Sequence, residues 1–197
     1  SDKKYLSNRH GGKEIEIIYN FPQIPNFNSN MDIRKRFNIA SNTKIFIYQG
    51  AIQAGRGIDV MIKLLTKFPQ CVAFIVGEGD YKIQLEQYAI ELKVNDRIFY
   101  IGAVPYKELL SITKQADIGF SLIQPISKSY EQALPNKLFE YGLAGIPTIA
   151  SDYPELKKYT IDFNLGLVVN PTDFDAQIKT VNKLLTWNRK EELSKTV

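Results

Sequence analysis

The chain has 197 residues, of which 44% are hydrophobic and 23% charged, the proportions of a folded globular domain and not of a disordered or fibrous chain. Its 25 basic and 21 acidic side chains leave a formal charge of +4, a mild preference for anions that is too small to define a nucleic-acid surface. A single cysteine, Cys71, excludes an intrachain disulfide, a single histidine, His10, excludes a histidine-rich metal site, and no apolar run nears the roughly 18 residues of a membrane span.

Residues 1–13 show no period and read as a mobile start or interdomain linker, without the apolar stretch of a signal peptide; Glu14 to Tyr19 reads as a short strand. An Asn- and Pro-rich connection runs to Asn30, and Met31 to Phe37 is a candidate helix. Its basic run, Arg34-Lys35-Arg36, is either a phosphate or lipid headgroup contact or a solvated face. From Lys44 onward, short apolar runs alternate with helical spacing. Lys44 to Gln49 is a strand, and Ile58, Met61, Ile62, Leu65 and Phe68 mark one helix face. Val72 to Val76 is a buried strand and Gly77-Glu78-Gly79 a turn; Tyr81, Leu85, Tyr88 and Leu92 form the next stripe, with Asp80 placed as N-cap. Arg97 to Ile101 is a strand, Pro105 opens a helix through Ala116, and Asp117 to Ile123 is a strand. Gln124 to Leu134 lacks a period and reads as a long loop, after which Pro135 opens a helix over Asn136 to Ala144. Pro147 to Ala150 is a strand, Asp152 caps a helix through Lys158, Leu165 to Val169 is a strand, and Phe174, Ile178, Val181 and Leu185 mark a closing helix. This alternation predicts an α/β domain over 14–187, a doubly wound parallel sheet with helices on both faces, followed by a tail at 188–197.

Open parallel sheets bind ligands beyond the carboxyl ends of their strands, so the loops there are the candidates for chemistry. Gly50 to Gly57 (GAIQAGRG) puts Arg56 just ahead of a helix, where a guanidinium and free N–H groups hold a phosphate. The spacing alone equally allows a glycine turn with a solvated arginine. Gly77-Glu78-Gly79 has Lys82 where a dinucleotide fingerprint needs its third glycine, Gly55-Arg56-Gly57 has Val60 there, and no phosphate loop of the G-x-x-x-x-G-K-[ST] type occurs. Nicotinamide, flavin and P-loop chemistry therefore have no support. In Tyr130 to Tyr141 (YEQALPNKLFEY), Pro135 leaves the N–H groups of Asn136 and Lys137 free for an anion and Lys137 adds charge. Glu140, one turn on, is placed to accept two ribose hydroxyls; the alternative is a capped helix with Glu140 paired to a lysine and Glu131 in solvent.

The ordered set Gly50–Gly57, Gly77–Gly79, IGAV at Ile101–Val104, PNKLFEYGLAGIPTIASD at Pro135–Asp152 and GLVVNP at Gly166–Pro171 resembles the nucleotide-sugar-binding, C-terminal half of GT-B glycosyltransferases. The retaining family 4 enzymes of bacterial capsule and lipopolysaccharide assembly are the nearest match, over Glu14 to Trp187. The resemblance implies a Rossmann-like fold and transfer of a hexosyl group from a nucleotide diphosphate sugar to a glycan or lipid-linked acceptor, with retention and no metal or other cofactor. It places Arg56, Asn136 and Lys137 on the donor diphosphate, Glu140 on the ribose, and Gly77, Gly102 and Val104 at the base. It implies a cytoplasmic protein, peripheral at most to the inner membrane face.

Two positions depart from the family pattern. Ala51 stands where an arginine often follows the first glycine, and Gln132 stands where the E-x(7)-E pair needs an acid, with Glu131 beside it. Glu131 and Gln132 are accordingly the candidates for the sugar. No catalytic residue is assigned within the chain: acceptor site and catalytic histidine belong to an N-terminal domain in this family, and His10 is a poor substitute. The chain alone is expected to bind nucleotide without transferring sugar, with Trp187 left on an exposed patch. The rival readings are a degenerate, non-catalytic module for protein interaction and a sugar-nucleotide epimerase of the same architecture.

Overall fold

The computed structural model describes residues 7, 9–14 and 31–187. The strand expected at Glu14–Tyr19, the connection to Asn30 and the tail at 188–197 lie outside them, Glu14 apart. Among the described residues six apolar segments form strands: β1 (Lys44–Gln49), β2 (Cys71–Val76), β3 (Ile98–Gly102), β4 (Ile118–Ser121), β5 (Thr148–Ser151) and β6 (Gly166–Val169). They pair in the order β3-β2-β1-β4-β5-β6, and every pairing is parallel. The chain winds outward from β1 to β3, returns to the middle and winds outward again from β4 to β6. The reversal leaves a crevice between the carboxyl ends of β1 and β4.

The helices are α1 (Ile33–Arg36), α2 (Ile58–Leu64), α3 (Lys82–Glu91), α4 (Tyr106–Thr113), α5 (Lys128–Glu131), α6 (Lys137–Leu143), α7 (Pro154–Asp162) and α8 (Phe174–Leu185). Because successive strand side chains point to opposite faces, Phe46 and Tyr48 join the α2, α3 and α8 side of the core while Ile45 and Ile47 join the α1 and α4 side. All five residues of the first predicted helix face are at most 2% exposed. Tyr141 of α6 fills the space beneath the crevice. A Cβ on Gly119 would come within 2.4 Å of its ring, and its hydroxyl lies 3.3 Å from Ile47 O and Phe120 O while accepting from Gln49 N at 3.2 Å.

Several local expectations are corrected. An N-cap side chain reaches the N–H groups two or three residues ahead, and Asp80 and Asp152 each sit one residue too early. The caps of α3 and α7 are Tyr81 and Tyr153, neither with a side-chain bond, and Asp152 pairs with Lys157 at 2.9 Å instead. Asp117 leaves its predicted strand to accept from Ile45 N and Lys44 Nζ, both at 2.8 Å. The expected loop at Gln124–Leu134 contains the single turn α5, capped by Ser127. Arg34 is withdrawn from the candidate headgroup run, since it donates to Ala40 O and Thr43 O at 3.0 Å and faces Asp117. Trp187 packs against the α2/α8 side of the core and makes no exposed patch.

Candidate functional site

The arm that follows β1 is fixed by close backbone contacts on both sides. Gly50 N donates to Val76 O at 2.9 Å and Ile52 N to Glu78 O at 2.8 Å. The approach is so tight that a Cβ on Gly77, already at φ +136°, would stand 2.0 Å from Gly50 O. Further along, Gln124 N donates to Gly55 O at 2.8 Å, and a Cβ on Gly57 would stand 2.0 Å from Leu122 O. The glycines thus let the arm lie between its neighbours, and Arg56 emerges at the crevice with its guanidinium 4.6 Å from the Tyr130 ring centroid.

Lys137 approaches from the start of α6. Its ammonium rests 3.5 Å from the Tyr48 ring centroid, beside Gly50, where a Cβ would lie 3.5 Å from Nζ. Burial, and next the charge of Arg56, push the Lys137 ammonium well below the ordinary lysine range, with Glu140 opposing them. Neither cation has a carboxylate within ion-pair distance among the described residues. Two positive groups therefore share a partly buried crevice beside aromatic rings and one carboxylate, an arrangement that favours a multiply charged anion.

Glu140 lies on the inner side of α6. It accepts from Gln49 Nε2, and Gln49 Oε1 lies 2.8 Å from Thr113 Oγ1, so a buried relay from α4 through β1 orients the carboxylate. Burial raises its pKa against the opposing effects of the Gln49 bond and Lys137. A carboxylate offers about four acceptor sites, so lone pairs remain for a vicinal diol. Beside it a shallow, mainly apolar recess is lined by Gln49, Tyr106, Leu109, Leu110, Glu140 and Leu143.

The structure brings Arg56, Lys137 and Glu140 together; the other sequence-predicted residues lie around them or apart. Asn136 is exposed at the start of α6 without a side-chain capping bond. Gly77 and Gly102 line a separate open groove with Glu78, Lys82 and Tyr100, and Gly77 N already donates to Gly102 O at 2.9 Å. Val104 packs on the α1/α4 side of the core. Glu131 faces Tyr153, raising its phenol pKa after burial does, and Gln132 is exposed. His10 is exposed in the turn at the start of the chain, and no cluster able to hold a metal ion occurs among the described residues. Sequence reasoning missed Gln49, Tyr48, Thr113 and Tyr130. Of these, Gln49 carried a usable signal: it is the polar end of an otherwise apolar strand at the topological switch point.

The sheet and its crevice define a doubly wound α/β domain with a cationic pocket at the switch point. The chain belongs to the glycosyl transferases group 1 family, whose model matches residues 29–196. It is 23% identical over 163 residues, 80% of this chain and 42% of the relative, to a GDP-mannose-dependent alpha-(1-6)-phosphatidylinositol monomannoside mannosyltransferase of Mycolicibacterium smegmatis. WaaG, a glycosyltransferase involved in lipopolysaccharide biosynthesis, superposes with a TM-score of 0.64 at 19% identity, covering 78% of this chain and 41% of that one. Anabaena HepE in complex with UDP and glucose gives a TM-score of 0.63 at 17% identity, covering 80% and 42%. These likenesses establish the Rossmann-like GT-B fold. The chain spans under half the length of the curated relatives it matches, 47% of one and 42% of another.

Proposed function

We propose that this chain forms the donor side of a glycosyltransferase that moves a hexosyl group from a nucleotide diphosphate sugar to a glycan or lipid-linked acceptor, with retention. The observation that carries it is the convergence of Arg56 and Lys137, neither ion-paired to a carboxylate among the described residues, with Lys137 one turn ahead of the oriented Glu140 carboxylate. As the sugar–phosphate bond breaks, negative charge grows on the departing diphosphate, and cations already in place stabilise it without reorganising. Arg56 and Lys137 supply that charge, while Glu140 and the ribose hydroxyls hold the donor in register. The apolar side chains of Tyr106, Leu109 and Leu143 beside Glu140 offer a surface against which a base attached to that ribose can lie. Family membership and the UDP-bound neighbour support this reading.

Acceptor binding and the remaining catalytic groups are assigned to a partner domain such as the one that makes up the rest of the relatives' length. No helix among the described residues is long and apolar enough to cross a membrane. Calorimetric titration with UDP, GDP and ADP tests the proposal. Saturable binding of one of them, weakened by Glu140→Ala, is expected. Binding of none would overturn the donor-site reading in favour of a degenerate module, and sugar transfer by the chain alone would contradict the division of labour.

A further inference from the structure

Every cation in the crevice sits on an aromatic face. Lys137 has Tyr48, and Arg56 has Tyr130. An anionic partner would hold a guanidinium equally well, but it would occupy the N–H donors and would have to be displaced by an incoming diphosphate. An aromatic ring attracts the cation through its face and leaves the planar fork of donors free at the edge.

Tyr130 is also tied to the arm that carries Arg56 by contacts independent of that stack. Its hydroxyl lies 3.4 Å from Ala54 O, and its ring edge crowds the next residue, since a Cβ on Gly55 would stand 3.1 Å from Tyr130 Cε1. From the same segment, Ile126 covers Gly55 and Gln124 N binds its carbonyl. On its other side Tyr130 packs against the cluster formed by Ile123, Leu138 and Leu156, in the second half of the sheet. Arg56 belongs to the first half, so the ring bridges the switch point. Arginine pays a large rotamer entropy when it is fixed on binding, and a side chain seated beforehand avoids much of that loss.

We propose that Tyr130 is a positioning residue: its ring holds the Arg56 guanidinium at the crevice beside Lys137, with the donor edge open to a diphosphate. The inference rests on reading the crevice as a diphosphate site. Glu131 and Gln132 follow Tyr130 at the end of α5, so the same stack ties the phosphate arm to the segment expected to meet the sugar.

The test titrates inorganic pyrophosphate, which needs no base pocket, and UDP, GDP and ADP into the parent chain, Tyr130→Phe, Tyr130→Leu, Arg56→Ala and the double variant Arg56→Ala/Tyr130→Leu. Phenylalanine keeps the ring and is expected to bind within about two-fold of the parent, whereas leucine weakens pyrophosphate about five-fold, the scale of a partly exposed cation–π contact. With Arg56 already removed, leucine is expected to make no further difference. Parent-like binding by Tyr130→Leu overturns the proposal while leaving the diphosphate site intact. An equal loss in the Arg56→Ala background also overturns it, because the effect is then general packing, and so does a loss in Tyr130→Phe as large as in leucine. A parent chain that binds neither pyrophosphate nor any of the diphosphates refutes the diphosphate site and this inference together.

Discussion

Replacing Lys137 by methionine is expected to stabilise the empty protein while abolishing its use. The ammonium is partly buried beside Arg56, and desolvating a charge in a protein costs several kcal/mol per ion. Tyr48 offsets about 2 kcal/mol of that through its ring face, and Glu140 also opposes the cost. Methionine has similar length, packs on the same ring and removes the charge, so a gain of about 1–3 kcal/mol is expected, in line with other buried charges replaced by apolar groups. At about 2–4 °C per kcal/mol for a domain of this size, the melting temperature should rise by roughly 2–12 °C. The pH dependence gives an independent signature. A lysine whose folded pKa is depressed binds fewer protons folded than unfolded, so stability rises with pH between the folded and unfolded values and is lowest below both. Urea denaturation from neutral to alkaline pH should show this rise in the parent and a flatter profile in Lys137→Met. Saturating nucleoside diphosphate should raise the melting temperature of the parent and leave the variant unmoved. A variant destabilised by more than about 1 kcal/mol, with the parent's pH slope retained, would refute the view that Lys137 is held at a cost to the fold.

Gln49→Leu removes the donor that orients Glu140 within a buried relay, and a loss of about 1–3 kcal/mol in urea denaturation is expected together with weaker nucleotide binding. An unchanged nucleotide affinity would sever Gln49 from the site. Gly77→Ala drives a Cβ to 2.0 Å from Gly50 O at φ +136°, so a destabilisation of at least about 3 kcal/mol or insoluble expression should follow, and parent-like melting would contradict the loop geometry. Cys71 is fully buried and burial, with Asp117 second, pushes its thiol up to about 12, so a disulfide reagent at pH 8 should modify it only once urea unfolds the chain. Rapid reaction of the native protein would show that β2 opens locally.

The sheet was legible because each strand is a short apolar run and each long helix carries a clear stripe, as in Lys44–Gln49 followed by Ile58 to Phe68. Strand order was not, since nothing in β4 states that it pairs with β1 across a reversal, where Tyr141 fills the space left by Gly119. Cap positions failed by one residue because Asp80 and Asp152 are plausible caps in sequence, and only backbone geometry decides which residue is half inside the helix. Arg56, Lys137 and Glu140 were singled out through loops and the resemblance to a known motif order. Their partners were not, because Tyr48 and Tyr130 look like core aromatics and Gln49 like the end of a strand until the fold sets them beside the cations. Of the positions expected at the base, Gly77 and Gly102 line an open groove and Val104 packs, partly buried, on the α1/α4 side, while the recess next to Glu140 comes from α4 and α6, which are far apart in sequence.

A crystal structure of the chain with the nucleoside diphosphate that binds it tests the central claim most directly. The diphosphate is expected within hydrogen-bonding distance of the Arg56 guanidinium and Lys137 Nζ, the ribose hydroxyls on Glu140 and the base against Tyr106 and Leu109. A nucleotide seated in the groove at Gly77 and Tyr100, with Arg56 and Lys137 unoccupied, would contradict it.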